Sequence, residues 1–158
     1  MKDLKEEVKK ILKSKMWMVI STVDEKNQPH SSVVVYQSDG EIIIFQTGID
    51  TVKAKSIKKN NNVSITIPFR KNFLHKLVPA PPAELHFTAT AEILPYDNEE
   101  AKKIFARFLK HSESVEKPSE TIWVKIIPSK FISTYGVGIK LFDMRKPTKA
   151  RNLVNLIK

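Results

Sequence analysis

Three apolar stretches near the N-terminus are joined by short connections, and this spacing limits the folds that the chain can adopt. Residues 17–23, 30–36 and 41–47 are rich in β-branched and aromatic side chains, and the Asp39-Gly40 pair between the last two is typical of a hairpin turn. Parallel neighbours would need a crossover of about a dozen residues or more, for which these connections leave no room. The sequence therefore predicts an antiparallel meander.

Further strands and helices follow at definite places along the chain. Strand patterns cover residues 63–67, 85–93, 121–127 and 131–139. Helical spacing of apolar residues predicts helices over residues 1–15 at the N-terminus, just after Thr51, over 98–111, and over a basic C-terminal stretch, 147–158. The proline-rich residues 68–84 predict a long irregular loop. We expect one domain over residues 1–158, mainly β with peripheral helices, whose six or more strands form an antiparallel barrel.

Composition excludes several kinds of chemistry. The chain has no cysteine, which rules out disulfides, thiolate zinc sites, iron–sulfur clusters and cysteine nucleophiles. Its four histidines (His30, His75, His86 and His111) lack the spacing of metal ligands, and we expect no metal site. A net charge of +10 favours anionic partners. Because the N-terminus is too charged for a signal peptide and no apolar run is long enough to span a membrane, we expect a cytoplasmic protein without a membrane partner.

The stretch from Phe45 to Ile67 contains the strongest functional signal. An apolar run ends at Thr47, the chain turns at Gly48, and a helix capped by Asp50 or Thr51 begins with lysines at positions 53 and 55. Unpaired N–H groups and the dipole at a helix N-terminus attract phosphate, and nearby ammonium groups strengthen that attraction. The residues alone leave two interpretations open, a phosphate site and a solvated helix that merely links two strands.

Short motifs between residues 16 and 108 occur in a recognisable order. They are Asn27-Gln28-Pro29-His30, Ser31-Ser32-Val33-Val34, Thr47, Thr51-Val52-Lys53-Ala54 and Asn60-Asn61-Asn62-Val63. This order resembles the flavin-binding split-barrel family that includes pyridoxamine 5′-phosphate oxidase. The resemblance implies an antiparallel six-stranded split β-barrel that binds FMN, and it favours the phosphate interpretation of the lysine-rich helix.

The resemblance also implies which residues contact the cofactor. The family's Ser and Lys at the phosphate correspond to Thr51 and Lys53, whereas the family's intervening Arg is Val52 here, a loss for which Lys55 can compensate. The strand at residues 30–36 is similar to the family's ring-facing strand. The implied cofactor contacts are His30, Ser31, Ser32, Val33, Val34, Gln46, Thr47, Thr51, Lys53 and Lys55. No catalytic residue is implied.

In the resembled family the cofactor lies across a homodimer interface. We therefore expect a homodimer in which the second subunit contributes residues from the region of Trp123 or from residues 135–145. The family's Arg-x-His substrate motif near the C-terminus is absent, and Phe142-Asp143-Met144-Arg145 is only weakly similar to it. The expected function is thus that of an FMN-dependent oxidoreductase acting on an unknown small molecule, rather than pyridoxamine phosphate oxidation itself.

Three alternatives remain open at this point. Within the same fold, the cofactor could be the deazaflavin F420, favoured by a basic groove, or haem. The barrel could instead bind nucleic acid, through basic and aromatic residues in one loop, Phe69, Arg70, Lys71, Phe73, His75 and Lys76. The third alternative is a cofactor-storing or sensing module without turnover.

Overall fold

The computed structural model of the chain describes residues 3–77, 79–109 and 118–156. Those residues contain three α-helices, α1 (Leu4–Ser14), α2 (Val52–Lys59) and α3 (Glu99–Leu109). They also contain nine strands, β1 (Trp17–Val23), β2 (Pro29–Val35), β3 (Gln37–Ser38), β4 (Ile43–Gly48), β5 (Asn62–Phe69), β6 (Ala83–Leu94), β7 (Thr121–Pro128), β8 (Phe131–Tyr135) and β9 (Arg151–Asn155). Short 3-10 turns lie at Phe73–Lys76, Pro118–Glu120, Leu141–Arg145 and Pro147–Lys149.

All nine strands belong to one antiparallel sheet that curls into a split barrel. The main path through the sheet runs β2-β1-β5-β6-β7-β4-β3. Its two end strands, β2 and β3, are consecutive in sequence and separated by Tyr36 alone, so the sheet must bend round to bring its ends together. The predicted split-barrel fold is therefore confirmed, with three short strands, β3, β8 and β9, added to six longer ones.

The long strand β6 explains where the barrel splits. One edge of β6 pairs with β5 along residues 83–90. The other edge is shared, because β7 pairs with residues 89–94 of β6 whereas β8 pairs with residues 84–86. The strands β8 and β9 therefore leave the barrel as a separate flap of the same sheet.

The core forms because apolar residues alternate along each strand and point to one side. Met18 and Ile20 of β1, like Ile65 and Ile67 of β5, are almost completely buried inside the barrel. Helix α1 closes one end with Val8, Ile11 and Leu12, the apolar stripe expected from their spacing. A second, smaller cluster forms on the other side of β4 and β7, where Ile44 and Trp123 pack against Phe105 of α3.

The expected meander of the first three strands is only partly correct. Strands β1 and β2 pair over residues 17–23 and 29–35, as predicted. Residues 30–36 do not pair with residues 41–47, since β2 ends at Val35, just before the buried Tyr36, and the hairpin at Asp39-Gly40 joins β4 to the two-residue β3. The turn signal is local, whereas closure of the barrel decides which strand lies beside which.

The predicted C-terminal helix over residues 147–158 is wrong. Pro147–Lys149 form a 3-10 turn, and Arg151–Asn155 pair with β8 as strand β9. Val154 is 6% exposed and its neighbour Leu153 is 68% exposed, which is the alternation of a strand rather than one helical face. The free edge of β8 supplies a hydrogen-bonding partner that the local sequence pattern does not reveal. Residues 157 and 158 lie outside the described part of the chain.

Other boundaries differ slightly from the predictions. β8 ends at Tyr135, earlier than the predicted residue 139, because Gly136 and Gly138 have φ angles of +77° and +72°, which do not occur in strands. The expected irregular loop is shorter, since β5 continues to Phe69 and β6 begins at Ala83. Helix α3 begins after Asn98, whose side chain caps it; the predicted end at His111 and the first two residues of the predicted N-terminal helix are outside the described residues.

Candidate functional site

The strongest sequence signal corresponds to a well-defined helix start. Strand β4 ends at Gly48, and Thr51 caps α2 by accepting a hydrogen bond from the Ala54 N–H at 3.3 Å. The Thr51 hydroxyl also bonds the Gly48 carbonyl oxygen at 2.9 Å and lies 3.2 Å from the Thr47 hydroxyl. This cap satisfies only one of the first N–H groups of the helix, which leaves the earlier ones available to an anion.

The structure separates the two lysines that were expected to act together. Side chains two positions apart on a helix do not face each other, so Lys53 and Lys55 project to different sides of α2. The Lys53 residue is half-buried. The Lys55 side chain is 64% exposed, and its ammonium lies 3.6 Å from the Asp50 carboxylate. Lys53 is therefore the better placed of these two lysines for a phosphate beside Thr51, and a contact from Lys55 stays a prediction.

Strand β2 presents its five predicted contact residues on two opposite faces. His30, Ser32 and Val34 are half-buried and alternate with the exposed Ser31 and Val33. Val34 packs against the main core, which is also where α2 places Ala54 and Ile57. The face of His30, Ser32 and Val34 is therefore the one turned toward α2, and a single planar ring cannot meet the side chains of both faces.

The outer face of β2 continues onto β1. The Ser31 and Ser21 hydroxyls are 2.8 Å apart across the two strands. Val33, which is 67% exposed, is paired with Val19, and Trp17 at the end of β1 is 54% exposed. Ser31 and Val33 thus belong to a partly apolar surface on the outside of the barrel.

Strand β2 is also an edge strand of the main sheet path, because it pairs with β1 alone. In an antiparallel pair every second residue directs its backbone N–H and C=O away from the partner. The free edge of β2 therefore offers a row of backbone donors and acceptors. Such groups are what the polar edge of a heterocyclic ring would need.

The structure also places the side chains of Gln46 and Trp123, while cofactor contact by Gln46 and a second-subunit contribution from the region of Trp123 stay predictions. Gln46 lies on the face of β4 opposite to Thr47. Gln46 is paired with Trp123, which belongs to the smaller cluster, whereas Thr47 lies two residues after Phe45 and points to the same side as that residue of the main core. Trp123 is 1% exposed, and its indole N–H donates to the Tyr96 carbonyl at 2.9 Å. A tryptophan committed to the core of its own chain is not available to a second subunit.

Sequence reasoning missed Asp24, which positions His30. The Asp24 carboxylate lies 2.9 Å from His30 Nε2 and accepts from the backbone N–H groups of Gln28 and Lys26 at 2.9 and 2.8 Å. The hydrogen bond from His30, helped by these backbone donors, holds the pKa of Asp24 below its ordinary value. The sequence predicted a short connection between residues 17–23 and 30–36, but not the turn geometry and strand register that bring His30 to Asp24.

The loop after β5 is held in place by hydrogen bonds of two of its own side chains, His75 and Lys71. His75 is completely buried, accepts from the Lys71 N–H through Nδ1 at 3.2 Å, and lies 2.9 Å from the Pro81 carbonyl through Nε2. The Lys71 ammonium donates to the Gly136 carbonyl at 2.8 Å and also to that of Ile139. Burial lowers the pKa of Lys71. Two of the six residues that suggested nucleic-acid binding are therefore structural.

Lys71 also anchors residues 135–145, the segment expected to reach a second subunit, through its bonds to Gly136 and Ile139. Tyr135, buried at the end of β8, donates its hydroxyl to the Met144 carbonyl, and Met144 is itself buried. Phe142 between these anchors is 72% exposed. Of the residues 135–145, Phe142 is thus a side chain that projects into solvent while its neighbours are fixed.

Neither a metal-binding cluster nor a membrane-spanning helix is found in the part of the chain that the structure describes. No group of three His, Asp or Glu side chains within residues 3–77, 79–109 and 118–156 is arranged to hold a metal ion. In the same part of the chain, every helix is too short or too polar to cross a membrane.

The chain is similar to known proteins in sequence. The sequence profile of the family described as pyridoxamine 5′-phosphate oxidase matches residues 4–134. The pyridoxine/pyridoxamine 5′-phosphate oxidase of Shewanella sp. (strain MR-4) is 27% identical over 129 residues, which cover 81% of this chain and 53% of that relative. The chain spans about half the length of the curated relatives it matches.

Solved structures share the fold. An F420 reductase superposes with a TM-score of 0.60 at 18% identity, covering 77% of this chain and 92% of that one. HutZ, the haem storage protein of Vibrio cholerae, superposes with a TM-score of 0.64 at 18% identity, covering 82% and 92% of the two chains. At such identities the likeness concerns the fold alone.

Proposed function

Because the chain belongs to the pyridoxamine 5′-phosphate oxidase family, we propose that it binds FMN and serves as a flavin-dependent oxidoreductase. The single observation that carries the proposal is the start of α2, where the Thr47 and Thr51 hydroxyls lie 3.2 Å apart at the end of a strand and Lys53 follows in the first turn of the helix. We call these three residues the flavin-phosphate site. The site lies on the same side of the sheet as the inner face of β2.

The flavin-phosphate site suits a dianionic phosphate monoester. The first N–H groups of α2 and the positive end of its dipole attract the phosphate, and Lys53 adds one ammonium. The role of Thr51 is to hold the helix start, because its hydroxyl already bonds Gly48 and Ala54. Thr47, held 3.2 Å from Thr51, keeps the end of β4 next to that helix start. Val52 offers no charge, so the site depends on Lys53 more than a site with an additional arginine would.

The ring of FMN would lie along the edge of β2. Ser32 and Val34 face the same side as the helix start, and the free backbone groups of β2 are suited to the ring's polar edge. When bound, the isoalloxazine supplies the hydride or electron chemistry. The protein's own residues bind it and exclude water, and His30, held by Asp24, is the ionisable side chain of β2 that lies nearest to this surface.

We further propose that two copies of the chain form a dimer through the outer face of β1 and β2. Trp17 and Val33 expose apolar side chains side by side on this face, which is unusual for a surface that stays in water. Phe142, projecting from a fixed segment, would reach the neighbouring subunit's cofactor. We expect the protein to carry out such a reaction in the cytoplasm.

Identification of the cofactor tests the proposal. The protein is purified from cells able to make both flavins and haem, supplied with F420 in a parallel preparation, and the small molecules released by heat are measured by mass spectrometry and absorbance. The expected result is FMN at close to one per chain. Retention of F420 or haem in preference to FMN would contradict the cofactor proposal, and a colourless protein that binds oligonucleotides in low salt would support the nucleic-acid alternative.

Sedimentation velocity tests the dimer separately. We expect a dimer for the parent chain and a shift toward monomer for Val33→Glu, which places a charge on the proposed interface. Phe73→Glu is the control, because Phe73 is similarly exposed, at 72% against 67% for Val33, but lies on the loop after β5. A parent chain that sediments as a monomer at high concentration with FMN bound would contradict the proposed dimer through the outer face of β1 and β2.

A further inference from the structure

A groove of about 430 Å³ lies beside α2, on the flank away from Lys53. Its walls are the turn between β1 and β2 and one face of the helix: Asp24, Glu25, Lys26, Val52, Lys55, Ser56 and Lys59. We call it the α2 groove. The helix residues in it are spaced three and four apart, as one face requires, and Lys53 is not among them. Its volume lies within the range of small-molecule sites.

Ser56, which lines the groove, has an unused hydrogen-bonding group. The residue is 3% exposed, and its hydroxyl has no hydrogen-bond partner among the described residues. Buried polar groups are nearly always paired, and a helical serine usually bonds the carbonyl four residues earlier. A Ser56 hydroxyl left unpaired beside a groove therefore indicates that an acceptor outside the chain can complete its hydrogen bonding.

The charge of the groove selects the acceptor. Lysines stand on both walls, Lys26 on the turn and Lys55 with Lys59 on the helix. Of the two carboxylates, Asp24 is already occupied by His30 and two backbone N–H groups. Glu25 is the remaining acidic side chain that lines the groove, and Asp50 lies 3.6 Å from the Lys55 ammonium, so Lys26 and Lys59 supply the excess of cations.

We propose that the α2 groove binds phosphate or a phosphate monoester, independently of the flavin-phosphate site. Ser56 donates its hydroxyl to one oxygen, and the ammonium groups of Lys59 from the helix and of Lys26 from the turn neutralise most of the charge. Lys55 contributes less, because its ammonium also lies 3.6 Å from the Asp50 carboxylate. Glu25 opposes the ligand and limits its affinity. The proposal does not depend on FMN, since no residue of the flavin-phosphate site lines the groove.

The test is calorimetric titration of the FMN-saturated protein with inorganic phosphate and, in a second arm, with phenyl phosphate. We expect one phosphate per chain in the presence of FMN. Ser56→Ala and Lys59→Ala should each weaken binding about fivefold or more, and Glu25→Gln should strengthen it about twofold. Lys58→Ala, the matched control, removes an exposed lysine of the same helix that does not line the groove, and it should leave the affinity unchanged. Thermal unfolding without phosphate verifies that each variant folds. Tighter binding of phenyl phosphate would identify a phosphorylated small molecule rather than free phosphate as the ligand.

Two results would overturn the inference. The first is an FMN-saturated protein that releases no heat with millimolar phosphate. The second is binding that disappears in Lys53→Ala but survives in Ser56→Ala, because the anion would then occupy the flavin-phosphate site. If the protein proves unable to bind FMN, the same titrations on the cofactor-free chain still decide between the two sites, so failure of the proposed function is distinguishable from failure of the groove.

Discussion

Replacing Lys53 by alanine is the most direct test of how the chain would hold the FMN phosphate. The structure makes Lys53 and Lys55 unequal although they are two positions apart on one short helix. Lys53 is half-buried, whereas the Lys55 side chain is 64% exposed and lies 3.6 Å from Asp50. Partial burial strengthens an ion pair with phosphate, because water screens it less.

The expected magnitudes follow from this difference. A charge-assisted hydrogen bond contributes about 1.5–3 kcal/mol, so Lys53→Ala should raise the Kd for FMN by about 10- to 150-fold. An exposed ammonium that already has a carboxylate partner contributes about 0–1 kcal/mol, so Lys55→Ala should raise the Kd by less than about fivefold. Lys53→Arg keeps the charge and should recover part of the affinity.

The assay is titration of cofactor-free protein with FMN, followed by quenching of flavin fluorescence at fixed ionic strength. Unfolding curves of both variants check that the barrel is intact. If Lys53→Ala binds FMN within twofold of the parent, or if Lys55→Ala loses more affinity than Lys53→Ala, then the assignment of the phosphate to the start of α2 is wrong.

Three further predictions concern stability. Thr51→Val should lower the free energy of unfolding by about 1 kcal/mol, because the α2 cap is lost; Thr51→Ser, which keeps the hydroxyl, should be close to the parent in urea unfolding, and equal losses for both would contradict the capping role. Asp24→Asn should be less stable than the parent at neutral pH, because a carboxyl with a lowered pKa stabilises the fold only while it is ionised in the native state. The difference should shrink as the pH falls below about 4 and vanish below the depressed pKa, and a difference that does not change with pH would refute the stabilising role of the ionised Asp24 carboxylate. Val154→Ala, which leaves a small cavity, should cost about 2 kcal/mol, whereas Leu153→Ala should cost less than about 0.5 kcal/mol; similar losses at the two positions would argue against strand β9.

Several features of the fold could be predicted because their signals are local. Buried and more exposed residues alternate along most of β1, β5 and β6, because one face of each strand is buried. The start of α2 was predictable because a threonine cap acts within one helical turn. The charge pattern and the lack of cysteine follow from composition alone.

The candidate site was predictable only as a set of sequence positions. The resemblance placed ten residues along the chain, but the structure distributes their side chains over different faces. Strand alternation separates Ser31 from Ser32 and Gln46 from Thr47, and helical geometry separates Lys53 from Lys55. Which face of a strand meets α2 depends on the curvature of the whole sheet. A short motif carries no information about that curvature.

The amino-acid sequence by itself determined where much of the chain extends, where it turns and where α2 begins after its threonine cap, because these depend on side-chain patterns within a few residues. Only the tertiary structure decided that β2 and β3 close the sheet from opposite ends and that residues 151–155 form a strand on the free edge of β8. Only the folded chain brings the β1–β2 turn against α2 to form a second, lysine-lined groove. The physical reason is that strand pairing and groove formation join residues distant in sequence, and their hydrogen bonds and buried surface outweigh the weaker local preferences.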